Sequence, residues 1–233
     1  MIFSVIDIET TGLSPRKHDR ILEIGIAKMN ASGEIIETFE TLFNPHRDVG
    51  PTRIHGISAS MLTEAPTFEQ IASPLLDFIH NTALVAHNAP FDLSFIMYEL
   101  QRSGITIGEI SNICTSDLCR KLVSDAPSFK LSALCEYFEI ETRPQRSALA
   151  DSIETAHLLR SIQDTYAVRI ELSEENVFVS PARKKQSQQI ELLSSFAIEA
   201  AESQRETPLS GILWRLPTVP ECVQQDSNLR PTA

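Results

Sequence analysis

The 233 residues predict an α/β layered domain, a mixed sheet flanked by helices. Three observations carry that prediction. Residues 1–43 read as three consecutive strands, a short apolar strand recurs near residue 83, and helical patterns alternate with or follow it from residue 58 onward. Composition agrees: 42% hydrophobic and 22% charged residues suit a cored globular domain and exclude global disorder, and 8 Gly and 13 Pro without a period exclude collagen-like classes.

The segment IFSVIDIE is a nearly continuous apolar run, as expected of a central strand covered on both faces. RILEIGIAKM and EIIETFETLF follow as an antiparallel hairpin around the turn Asn30-Ala31-Ser32-Gly33. Asn44 to Gly56 is a polar loop. A short helix starts at Ser58 and a longer one at Thr67, where Gln70 completes a capping box. Pro74 falls inside the second pattern and predicts a kink or a late start. TALVAHN is the fourth strand. Pro90 suits the first turn of a helix that runs to about Ser103, where Gly104 stops it. Two short helices are expected at Ser116–Val123 and Leu131–Phe138, and a long one from Ser147 to Thr165. Residues 1–170 are thus assigned to the domain, and 171–233 to a linker and largely disordered tail carrying one predicted helix, 188–202.

No apolar run reaches the roughly 18–20 residues of a membrane span, and the start lacks a basic region and a cleavage site, so a cytoplasmic protein with no membrane partner is expected. The four cysteines form no CxxC pair and are read as reduced, mostly buried side chains. Residues 1–180 hold 14 Lys and Arg against 25 Asp and Glu, a balance of −11. That argues against tight, nonspecific coating of duplex nucleic acid, which needs clustered cations, and leaves room for an enzyme that holds a nucleic-acid end through divalent metals.

Four carboxylates stand at odds with their surroundings. Asp7 and Glu9, two apart at the end of a hydrophobic strand, point to one face about 6–7 Å apart. Asp92 lies in the first turn of the helix after HNAPF, where exposed N–H groups favour an anion. Asp151 shares a helical stripe with Ala148, Thr155, Leu158 and Ile162 that contains no Lys or Arg, and an acid on an inward stripe calls for a cation. Read one at a time, Asp7 and Glu9 also suit a solvated strand end, and Asp92 a simple first-turn acid. Taken together, oxygen ligands of this kind suit Mg²⁺ or Mn²⁺, and two such ions serve in-line phosphoryl displacement.

Asp7-Ile8-Glu9-Thr10-Thr11-Gly12, His87-Asn88-Ala89-Pro90-Phe91-Asp92 and Ser147-Ala148-Leu149-Ala150-Asp151 resemble the three exonuclease motifs of the DEDD superfamily, and most of all those of the proofreading epsilon subunits of bacterial DNA polymerase III. Ile54-His55-Gly56-Ile57-Ser58 and the segment starting Lys130-Leu131-Ser132 are also similar to that family, and the likeness covers residues 1–165. It implies a ribonuclease-H-like fold and metal-dependent removal of nucleotides from the 3′ end of single-stranded DNA or RNA. It also implies a role beside a DNA polymerase subunit in replication.

Carried across by residue, the resemblance makes Asp7, Glu9, Asp92 and Asp151 the ligands of two divalent ions, Mg²⁺ or Mn²⁺. It sets Thr10, Thr11 and Leu13 beside the terminal nucleotide, and has Ile54 and His55 wedge or stack its base. Without it, His55 reads as a loop histidine bonded to backbone. One position departs. The family's histidine branch has its catalytic histidine five residues before the last aspartate, where this chain has Arg146, and the tyrosine branch has its base four residues before, at Ser147. Arginine cannot take a proton from water, though it can hold phosphate. Slow metal-driven hydrolysis, a substitute base such as His87, and a degenerate 3′-end binding module all remain open. A further reading puts function in the tail, with residues 188–202 docking on a polymerase.

Overall fold

In the computed structural model the protein is described over residues 2–108, 110–143, 147–170 and 177–181, all within the compact unit Met1–Gln188. The predicted helix 188–202, Cys222 and Arg146 lie outside the described residues.

The sheet has five strands in the order β3-β2-β1-β4-β5. β1 (Ile2–Thr10), β2 (Ile21–Asn30) and β3 (Ile35–Leu42) are antiparallel neighbours, and β4 (Ala83–Ala86) and β5 (Asn112–Cys114) add parallel to the other side of β1. The sheet is therefore mixed, as predicted, and β1 is central. Alternation along β1 sorts its side chains onto two faces. Phe3 and Val5 pack with Met29, Ala83 and Val85 under Ala156 and Leu159 of the helix Ala148–Tyr166. Ile6 and Ile8 pack on the opposite face with Ile24, Ile26, Phe68, Leu75, Phe95 and Leu100. Both faces are covered, which is why the strand reads as a continuous apolar run.

Among the described residues six α-helices pack with the sheet: α1 (Thr52–His55), α2 (Phe68–Phe78), α3 (Ala89–Arg102), α4 (Thr115–Leu122), α5 (Leu131–Tyr137) and α6 (Ala148–Tyr166). A 3₁₀ turn at Ala59–Leu62 stands where a short helix was expected after Ser58. The capping box at α2 forms: the Thr67 amide donates to Gln70 Oε1 at 2.8 Å. Start and course are thereby set, and the helix runs through Pro74 without a late start. The carbonyl that proline cannot satisfy belongs to Gln70, on the exposed face.

Two elements differ from the sequence reading. Thr52–His55 forms one helical turn inside the expected loop, closed by Gly56 at φ +78°. Asn112–Cys114 forms a fifth strand of three residues, too short to show a period. Residues 177–181, assigned to the linker, rejoin the body. The Phe178 amide donates to the Thr82 carbonyl and its carbonyl accepts from Asn81, both at 2.8 Å, while its ring enters the core. The packed residues thus extend past 170. Cys114, Cys119 and Cys135 are free thiols, and burial pushes Cys119 up to about 11 and Cys135 up to about 12.

A bidentate ion pair ties the loop after β1 to α3. Arg20 donates to Glu99 at 2.5 and 2.8 Å, and Glu99 is 3% exposed. The backbone of Arg20 is also paired with Thr11, so this link holds the turn that follows Glu9. Glu99→Ala strands the guanidinium against a buried wall. Its expected cost is about 3 kcal/mol, with Glu99→Gln losing less, read from urea unfolding of both variants.

Candidate metal centre

The β1–β2 register places Asp7 opposite Gly25 and Glu9 opposite Glu23, on the face that α6 covers. α6 comes in unusually close. A Cβ on Gly25 would stand 2.1 Å from the Leu149 nitrogen and 2.2 Å from the Ala148 carbonyl carbon, so only glycine permits this approach. Two hydrogen bonds to β2 fix the helix there, and a third, internal one caps its start. The Ala148 amide donates to Glu23 Oε2 at 3.2 Å, the Ser152 hydroxyl to the Gly25 carbonyl at 2.7 Å, and the Ala150 amide to the Ser147 cap at 3.2 Å. The turn of α6 carrying Asp151 is thus clamped over Asp7.

The outcome is a cluster. One carboxylate oxygen each from Asp7, Glu9 and Asp151 lies within 4.8 Å of the others. Asp92 arrives from the opposite face. β4 ends at Ala86, and Asn88, left-handed at φ 70°, turns the chain straight into α3. That leaves the end of β1 unpaired on this side, and the Ile8 amide donates to the Asp92 carboxylate there. Asp92 is 3% exposed and stands outside the tight trio, yet its charge acts on both Asp7 and Glu9.

Burial, then the charges of Asp92, Asp151 and Glu9, holds Asp7 well above the usual carboxylate range. Burial pushes Asp92 up to about 8, against hydrogen bonds from its own amide and that of Ile8. Glu23 is raised too, chiefly by burial. Without a counter-cation the folded state therefore keeps protons that the unfolded chain releases. Because these folded pKa values are raised, this contribution is intact below the unfolded carboxylate range and is lost as pH rises from about 4 through about 8. In chelator the melting temperature should fall across that interval, and Mn²⁺ should abolish the fall. Each 1 kcal/mol corresponds to about 2–4 °C. Hard oxygen donors at this spacing fit a divalent ion of the Mg²⁺ or Mn²⁺ type.

Among the other residues singled out from the sequence, Thr10 and Thr11 are occupied structurally. Thr10 donates to the Gly12 carbonyl at 2.6 Å, and Thr11, 6% exposed, accepts from the Arg20 amide at 3.0 Å. Leu13 and Ile54 are 86% and 60% exposed, large apolar side chains turned to solvent. His55 is buried with both ring nitrogens engaged: Nδ1 accepts from the Ile57 amide and Nε2 donates to the Val49 carbonyl, each at 3.1 Å. Of its two readings the backbone-bonded one describes this geometry, and only the ring's apolar surface is left for a ligand. His87 bridges the Thr115 hydroxyl and the Phe129 carbonyl, each at 2.9 Å, and burial lowers its pKa. With both nitrogens bonded, His87 ties β4 to the loop before α5.

Two clefts flank the start of α6. One, about 640 Å³, is lined by Glu23, His55, Gly56, Met61, Leu149 and Ala150, and the other, about 650 Å³, by Lys130, Ser132, Glu136, Asp151 and Glu154. Arg143 borders both, its amide donating to Glu154 Oε1 at 3.0 Å. Sequence reading missed Gly25, Glu23 and Glu154 as positioning residues. An isolated glycine inside a strand is the signal that could have found the first. Gly25→Ala must push α6 outward. It is expected to cost about 3 kcal/mol of stability and, by moving Asp151 by about 1 Å, roughly 10²-fold in any activity of the cluster. Denaturant unfolding and initial rates of the same variant check both.

Residues 4–159 match the family described as Exonuclease (RNase_T), and the chain belongs to that family. Its five-stranded mixed sheet flanked by helices is the ribonuclease-H-like exonuclease fold. A DNA polymerase III PolC-type protein of Caldanaerobacter subterraneus subsp. tengcongensis is 39% identical over 67% of this chain and 11% of its own length. The DNA polymerase III subunit epsilon of Rickettsia felis is 37% identical over 64% of this chain and 68% of its own. The chain thus spans about a tenth of the first relative and about two thirds of the second. Among solved structures, exonuclease X in complex with 5′ overhanging duplex DNA superposes with TM-score 0.58 at 27% identity, covering 75% of this chain and 97% of that one. The nuclease domain of 3′hExo bound to rAMP shares the fold at TM-score 0.62 and 20% identity, covering 74% and 96%. Among the described residues no helix is long and apolar enough to cross a membrane.

Proposed function

We propose that this protein is a metal-dependent 3′–5′ exonuclease acting on the 3′ end of single-stranded nucleic acid in the cytoplasm, beside a DNA polymerase subunit. The observation that carries the reading is the convergence of Asp7, Glu9 and Asp151 within 4.8 Å, from segments more than 140 residues apart in the chain. Asp7, Glu9 and Asp151, with Asp92 at the edge of β1, would hold two divalent ions, Mg²⁺ or Mn²⁺. When bound, such a pair supplies Lewis-acid charge to the attacking and leaving oxygens of an in-line displacement.

The chain's own residues do the rest. The Thr10-Thr11-Gly12 turn and exposed Leu13 flank the terminal nucleotide, Ile54 presents an apolar wedge to its base, and the buried ring of His55 backs that wedge. Arg146 supplies positive charge for the scissile phosphate but cannot take the proton of the attacking water. Turnover is consequently slow, because a positioned general base is worth about 10²–10⁴-fold. The polymerase partner rests on relatives named as subunits of DNA polymerase III.

A time course with 5′-labelled single-stranded DNA and RNA, in Mg²⁺, Mn²⁺ or chelator, tests this reading. Laddering from the 3′ end only with metal is expected, and the faster polymer names the substrate. Tight metal-dependent binding with no product would instead establish a 3′-end binding module.

A further inference from the structure

The domain is acidic, yet five of the 14 Lys and Arg in residues 1–180 gather in or against the loop after β1: Arg16, Lys17, Arg20, Arg47 and Arg102. Two of them are neutralised, Arg20 by Glu99 and Arg47 by Asp19 at 3.5 Å. Arg16, Lys17 and Arg102 have no carboxylate partner among the described residues, and all three are exposed. Arg102 donates to His18 Nδ1 at 3.3 Å, so the exposed imidazole joins the cluster.

Arg16, His18 and Arg102 line an open concavity of about 630 Å³, with Pro15, Gln101 and half-buried Tyr98 completing the wall, and exposed Lys17 stands between Arg16 and His18 in the chain. Unpaired guanidinium groups beside an aromatic ring are the chemistry that holds single-stranded nucleic acid: cations for the phosphates and a ring for a base to stack on.

The surface is built rather than incidental. Asp19 accepts from the Ser14 amide at 3.0 Å, the Asp19 amide donates back to the Ser14 carbonyl at 3.3 Å, and Arg47 donates to the carbonyl of His18. Through Arg20 and Thr11 the same loop is joined to the turn that follows Glu9. Its position relative to the metal centre follows from α3, which carries Asp92 in its first turn and Arg102 in its last. Ten residues of helix separate them by about 15 Å. The loop that carries Arg16 and Lys17 follows exposed Leu13 and is tied to α3 through Arg20–Glu99 and His18–Arg102.

We infer that Arg16, Lys17, His18, Tyr98 and Arg102 form a second nucleic-acid subsite, which binds the phosphate backbone and one base of the same single strand upstream of its 3′ end. The inference rests on the exonuclease reading and deepens it. In a domain of net charge −11 over residues 1–180, it gives a polyanionic strand a local attractive site about 15 Å from the carboxylates. It also makes affinity depend on strand length, since a dinucleotide cannot reach the patch.

The test measures binding in Ca²⁺ or Mn²⁺ by fluorescence anisotropy, with single-stranded oligonucleotides of 2 and 15 nucleotides across a salt series. Arg16→Ala/Lys17→Ala/Arg102→Ala is compared with a charge-matched control, Lys28→Ala/Arg160→Ala/Arg169→Ala. The patch variant should lose the affinity advantage of the long strand by about tenfold, and its salt slope should fall by about 2, at about 0.7 per phosphate contact. Tyr98→Leu should lose part of the advantage with the slope retained. An equal loss in the control, or an unchanged long-to-short ratio in the patch variant, overturns the subsite. If the 15-mer ladders normally while the ratio is unchanged, the subsite alone fails. If neither oligonucleotide binds or is cut, the exonuclease reading falls with it.

Discussion

Asp7→Ala and Asp151→Ala are each expected to abolish 3′-end cleavage, a loss of at least about 10³-fold, while the protein stays folded. Each removes one of the three oxygens that approach within 4.8 Å. A residue retained for stability would give the opposite thermal result. Asp7 is held far above its ordinary titration range by burial and by four neighbouring acids, so its ionised form strains the metal-free fold. Asp7→Asn keeps the shape and removes that charge. In chelator at pH 8 it should therefore melt higher than the parent, and it should lose the rise in melting temperature that Mn²⁺ gives the parent. Rates on a 5′-labelled single strand and thermal melts with and without metal check the two halves. Lost activity with lowered stability in chelator would mark Asp7 as a packing residue.

Arg146→His is expected to raise the cleavage rate by about 10²–10⁴-fold. The position lies five residues before Asp151, and the ends of its segment are fixed on both sides. The Arg143 amide is bonded to Glu154 at 3.0 Å, and Ser147 caps α6 through the Ala150 amide. Ser147 is thereby committed to the helix, and His87 and His55 have both ring nitrogens bonded to other groups. Both of those imidazoles are engaged, so one introduced at 146 meets no free competitor in either of them. The gain should show in kcat with a new acidic limb near the histidine pKa, about 6.5, in the pH–rate profile. An unchanged rate would mean that proton removal does not limit turnover.

The carboxylates were legible because each broke a local rule: two anions end an apolar strand, and one sits on the stripe whose other members, Ala148, Thr155, Leu158 and Ile162, are fully buried. The three-strand start and the capping box at Thr67 were legible because they follow local rules of period and cap chemistry. What escaped was non-local or too short. Arg20 and Glu99 are 79 residues apart and carry no mutual signal. Three-residue β5 has no room for alternation, and Thr52–His55 is a single turn in a proline-flanked loop. Phe178 looks like part of a polar linker until its pairing with Thr82 is known. His55 shows how a motif misleads on detail: its position matches a family segment, while its nitrogens serve the backbone.

Everything functional here depends on the acids of β1, α3 and α6 acting as one ligand set. The most direct measurement is the stoichiometry of Mn²⁺ binding by electron paramagnetic resonance, on the parent and on Asp7→Asn, in the presence of a nucleoside monophosphate. Two ions per chain with spin-coupled spectra, reduced to one or none in Asp7→Asn, is the expected result. No binding by the parent, or binding that Asp7→Asn leaves intact, would contradict it.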